Sequence, residues 1–156
     1  MAPKNTARLL LLSTGFLLLF SAFNTAQGLA AQVLTELDLG NMGFYSLAVL
    51  YCVFGFSSFV ATPIVNKCGE RAAMFIGALC YTFYIASFIL AATPTQYPST
   101  DISKTLISAV ILIAAAINGF GASILWVAQG KYISLCASDE NKGSFNGIFW
   151  AFFMSS

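Results

Sequence analysis

Histidine is absent from the 156 residues, and Asp, Glu, Lys and Arg together supply only 8% of them. An ordinary soluble domain is about 25% charged, so this composition excludes a fold whose surface faces water. Without histidine, and with Cys52, Cys68, Cys80 and Cys136 forming no CxxC pair, nothing has the spacing of a metal site or a disulfide framework. The cysteines therefore read as packing residues. A formal net charge of +1 gives no electrostatic reason to bind nucleic acid. No nucleophile and base arrangement and no phosphate-cradling loop is present, so neither an enzymatic reaction nor a cofactor is expected. There is no Asn-x-Ser/Thr acceptor either, and a glycan cannot report sidedness.

Apolar residues fill the space, at 58% of the chain. They gather in four stretches, approximately 9–34, 44–65, 72–92 and 106–135. Each has the ~20 apolar residues that a helix needs to cross about 30 Å of hydrocarbon. A fifth run starts at 145 and reaches 156, too short to cross. The expected fold class is an all-α membrane protein, with the lipid bilayer as its first partner, and the natural product is expected to continue beyond Ser156 or to be truncated there. A signal peptide competes for the N-terminus, because Lys4 and Arg8 precede an apolar run that leads to Gly-Leu-Ala-Ala at 28–31. The run is longer than the usual hydrophobic region of a signal, and the stretch is kept as a first span.

Basic residues are unevenly placed. Lys4, Arg8, Lys67, Arg71, Lys131 and Lys142, six of the seven, fall on one side of the spans, and only Lys104 on the other. The positive-inside rule then predicts a cytoplasmic N-terminus, with Glu36, Asp38 and Asp101 facing away from the cytoplasm; the identity of the membrane is left open. Short polar loops at 40–43, 66–71, 93–98 and 138–143 separate the spans and leave no room for another domain.

Uncharged polar residues inside the spans are the candidates for function, since lipid makes them costly unless they pair or meet water. The first span carries Asn24, Thr25, Gln27 and Gln32 on a broad flank, with Asn24 and Gln27 about 60° apart. On the same helix Ala22, Ala26 and Ala30 recur every fourth residue and offer a smooth surface for close helix packing. In the fourth span Asn118 and Gln129 return to within roughly 20° of one face, about 16 Å apart along the axis, with Gly121, Ala122 and Leu125 between them and Trp126 beside them. They form either a hydrogen-bonding wall of a cavity or a set of interhelical bonds. Tyr81, Phe83, Tyr84 and Phe88 in the third span suit the membrane interface, lipid or core, and Pro63 suits a kink or terminator. Neither 9–34 nor 106–130 contains an ionisable Asp, Glu, Lys, Arg or His, so no proton relay is evident.

Several runs together carry a resemblance. Phe20-Ser21-Ala22-Phe23-Asn24-Thr25-Ala26-Gln27, Gly43-Phe44-Tyr45-Ser46-Leu47-Ala48, Leu125-Trp126-Val127-Ala128-Gln129-Gly130-Lys131-Tyr132 and Asn146-Gly147-Ile148-Phe149-Trp150 resemble the Unc-ninety-three family of the major facilitator superfamily. The likeness extends over nearly the whole chain in order. It implies part of the N-terminal half of a major-facilitator-type helical bundle, with the remaining C-terminal helices as further partners and with the first and fourth helices facing a central cavity. Asn24, Gln27, Asn118, Trp126 and Gln129 are then the candidates for a substrate path.

The superfamily's second-loop pattern, Gly-x-x-x-Asp-Arg-x-Gly-Arg-Arg, aligns with residues 62–71. Lys67, Gly69 and Arg71 keep its basic and glycine positions; Thr62, Asn66 and Glu70 replace the leading Gly, the Asp and one Arg. The resemblance implies two functions of different class. One is a non-enzymatic regulator or trafficking partner of an ion channel or receptor, held through a helix surface such as Ala22, Ala26 and Ala30. The other is a carrier of a small uncharged molecule.

Overall fold

In hydrocarbon a backbone N–H or C=O has no water to bond, so a spanning segment must satisfy these groups within itself. The computed structural model describes residues 3–36, 39–92 and 101–156, and among them every regular element is a helix. In chain order these are α1 (Pro3–Glu36), α2 (Met42–Cys68), α3 (Glu70–Ala92), α4 (Asp101–Cys136) and α5 (Lys142–Phe153). The first four are long and apolar enough to cross a bilayer. The chain is a multi-pass, all-α integral membrane protein.

The helices overrun the apolar stretches, because polar residues at the ends continue the backbone ladder. α1 starts at Pro3, a position where the missing N–H of proline costs nothing. Pro63 does not terminate α2, which runs on to Cys68. The break between α2 and α3 is a single residue, Gly69, at φ +81, a left-handed value that glycine adopts without a Cβ clash. Its N–H closes the end of α2 on the Val65 carbonyl at 2.9 Å. Gly40, at φ +49, reverses the chain between α1 and α2. The expected turn at 93–98 and Asp38 lie outside the described residues.

α4 is the central helix. Of its apolar span 56% is buried, against 17 to 33% for the other three, and its main neighbours are α2 and α3. Glycine makes both approaches possible. A Cβ on Gly119 would collide with the Leu50 carbonyl oxygen and stand 3.0 Å from Val53 Cβ of α2. On the other flank, a Cβ on Gly121 would strike Cys80 of α3, while one on Gly77 would stand 2.7 Å from Leu125 Cβ. Such close backbone contact is what holds helices together in lipid, where the solvent is as apolar as the side chains.

α1 is attached differently, through rings. Phe20 and Phe23 stack edge-on against Tyr81 of α3 at 5.2 and 5.0 Å, and Phe16 meets Phe149 of α5 at 5.1 Å. Tyr81, Tyr84 and Phe88 are therefore core residues rather than interface markers, and of that third-span group only Phe83 is exposed. Cys52 and Cys68 are exposed, contrary to a packing role; Cys136 is buried and Cys80 half-buried. Leu11, Phe56 and Phe59 are apolar and exposed on the outside of the described bundle.

Gly119→Ala is expected to destabilise the bundle by about 1–3 kcal/mol, since α2 must move away from α4. Gly15→Ala, whose Cβ would meet nothing within 4 Å, is expected to be neutral or to stabilise by up to about 1 kcal/mol. Thermal unfolding of both variants in detergent checks the pair; equal effects would remove the close-contact account.

Candidate functional site

The polar side chains of α1 and α4 part company. Gln27 turns inward to a cavity of about 130 Å³ near the α1–α2 reversal, shared with Ser46 of α2 and Tyr84 of α3 and walled by Phe44 and Phe88. Ser46 Oγ gives its proton to the Gly43 carbonyl at 2.8 Å and lies 3.0 Å from the Tyr84 hydroxyl, which must then be the donor of that pair. Gln27 Nε2 is buried there without a hydrogen-bond partner. Asn24 lies outside this cavity and is exposed.

Asn118 is fully buried, and neither atom of its amide has a partner. Gln129 is buried as well, and Ala122 and Leu125 between them are closed against the neighbouring helices. The shared face of α4 is thus packed inside the described bundle. Trp126 belongs to an aromatic cluster, 5.5 Å from Phe20, 5.1 Å from Phe153 and 6.1 Å from Trp150. Gln27 is grouped with Ser46 and Tyr84 rather than with the candidates of α4.

The opposite end of the bundle is basic and is tied by polar contacts. Asn5 Nδ2 donates to the Cys136 carbonyl at 3.0 Å, joining the start of α1 to the end of α4. Lys131 Nζ donates to Asn66 Oδ1 at 2.8 Å and pairs with Glu70 Oε1 at 2.7 Å. The Gly69 turn thus sets Asn66 and Glu70 on either side of one ammonium from α4. Both members of the ion pair are partly exposed, so water screens it and its main effect is on orientation. Lys67 and Arg71 are exposed. Among the described residues no cluster of potential metal ligands occurs.

The small-residue face of α1 opens on a groove. Ala22, Ala26 and Ala30 line it together with Ile85, Phe88 and Ile89 of α3, around about 600 Å³.

Residues 39–156 match the family described as ion channel regulatory protein UNC-93. The chain belongs to the UNC-93 family. It is 35% identical to the UNC93-like protein MFSD11 of Xenopus tropicalis, over 97% of this chain and 32% of that protein. It is 34% identical to UNC93-like protein 3 of Arabidopsis thaliana, over 92% of this chain and 29% of that one. With unc-93 homolog A of Bos taurus the identity is 30%, over 97% and 32%. The chain spans about a third of the length of these relatives. No solved structure matches it significantly.

Within this UNC-93 chain, sequence periodicity missed the Ser46–Tyr84 pair and the Lys131 tie. The first joins residues on two different helices, which no single-helix pattern displays. The second had a usable signal: Asn66 and Glu70 replace charged members of the superfamily loop and so call for a different cation partner.

A buried amide without partners costs about 1–3 kcal/mol, and an apolar side chain of similar shape removes that cost. Asn118→Leu is therefore expected to raise the thermal stability of this chain in detergent. A loss of stability would show that water or a ligand satisfies Asn118.

Proposed function

We propose that the protein to which this chain belongs acts without catalysis, as a regulatory or trafficking partner of another membrane protein, an ion channel or a receptor, with the N-terminus in the cytoplasm. The observation that carries this reading is the groove beside Ala22 and Ala26. It is open, apolar and flanked by small residues, the kind of surface against which a second transmembrane helix packs closely. The family description, ion channel regulatory protein, supports the same class of partner.

Ala22→Phe with Ala26→Phe in the full-length protein fills the groove. Recovery of a co-expressed channel with the full-length protein is expected to fall at least about tenfold, equivalent to about 1.4 kcal/mol, while the protein's own membrane level stays constant. Unchanged recovery overturns the assignment of that face.

A second reading, a carrier for a small uncharged molecule, is favoured by the Gln27 amide. Its unpaired donor faces a cavity that also holds two hydroxyls, a set suited to a neutral hydrogen-bonding solute. Gln27→Leu is then expected to abolish the thermal stabilisation that a transported solute gives the full-length protein. Stabilisation that survives the change removes Gln27 from the path.

A further inference from the structure

Among the described residues, two guanidinium groups at the basic end have no ion-pair partner. Arg8 of α1 and Arg71 of α3 are exposed, and neither has a hydrogen bond or ion pair among the described residues. Glu70, which lies beside Arg71, is already engaged by Lys131 at 2.7 Å. Both arginines, with Tyr132 of α4, line two adjoining hollows. One, of about 440 Å³, lies against the Gly69 turn and the end of α4. The other, of about 890 Å³, runs from the arginines along the seam of α1 and α3, between Leu12, Phe16 and Leu19 on one side and Met74, Phe75 and Leu125 on the other.

We propose that this pair of hollows seats an anionic phospholipid from the leaflet that meets the basic end. The headgroup phosphate sits between Arg8 and Arg71, and one acyl chain lies in the groove. The two parts have the chemistry of such a lipid in the right order. Arg8 immediately precedes the apolar run of α1, and Arg71 the apolar run of α3, which places both guanidiniums at headgroup depth with the apolar groove beneath them. Guanidinium binds phosphate oxygens through paired hydrogen bonds, and basic hollows between transmembrane helices select acidic headgroups. Gly15 lines the groove and faces its open space, since an added Cβ there would meet nothing within 4 Å. The inference is independent of the regulatory and carrier readings, because it uses neither the Ala22 groove nor Gln27.

The test titrates the purified chain with phosphatidylserine or with phosphatidylcholine of the same acyl composition and counts bound lipid by native mass spectrometry. The wild-type chain is expected to prefer phosphatidylserine, and each arginine replaced in Arg8→Gln and Arg71→Gln is expected to cut that preference about fivefold, as about 1 kcal/mol per basic residue implies. Gly15→Phe is expected to weaken both lipids, and circular dichroism establishes that it folds, which keeps the proposal testable if the arginine variants do not. Lys67→Gln with Lys142→Gln, which lowers the charge of the same end equally, is expected to leave the preference intact. Four results would each overturn the proposal: a preference retained without the two arginines, a preference lost equally in the lysine variant, lipid binding indifferent to Gly15→Phe, or displacement of phosphatidylserine by inorganic phosphate alone.

Discussion

The rest of the bundle depends on how closely two helices can approach α4. Lipid offers no hydrophobic gain for bringing apolar helices together, so contact area and distance decide association. Gly119 and Gly121 are about 200° apart around the helix, and each lets a different neighbour reach the α4 backbone: α2 on one flank, α3 on the other. Once both are seated, Asn118 is enclosed between them, and α3 is positioned to offer Tyr81 and Tyr84 to the phenylalanines of α1. α1 thus joins through rings and leaves open seams against α3.

Charge is disposed of by the same geometry. The spans carry almost none, and the basic groups at one end are divided between two tasks. Lys131 closes the bundle by meeting Asn66 and Glu70 across the Gly69 turn, whereas Arg8 and Arg71 stay outward at the mouth of the α1–α3 seam. Glu70, the carboxylate beside the Gly69 turn, is engaged by Lys131.

The spans were legible because crossing a membrane is a one-dimensional requirement, met by length and hydropathy along the chain. The family was legible for a related reason, through short runs read in order. The inward direction of each helix was not. The common face of Asn118 and Gln129 follows from helical geometry, but whether that face is a cavity wall or a packed seam depends on glycines in α4 that admit α2 and α3. Gln27 was singled out for its polarity, yet its companions Ser46 and Tyr84 sit on separate helices. Ala22, Ala26 and Ala30, picked out by their spacing alone, line an open groove beside α3. Cys52 and Cys68 show the converse: hydrophobic character alone does not place a residue inside when the solvent is itself apolar.

α1 has a further consequence for the assembled protein. Asn24, Thr25 and Gln32 are exposed on its surface, and a polar side chain facing hydrocarbon at membrane depth is costly unless it finds protein or water. The same helix turns Phe16, Phe20 and Phe23 into the core, and Thr25 lines the groove beside α3 with Ala22 and Ala26, so Asn24 stands on a separate side with a separate need. Lipid cannot meet that need, and neither can the aromatic cluster. The flank that bears Asn24 therefore calls for other protein or an aqueous space within the membrane.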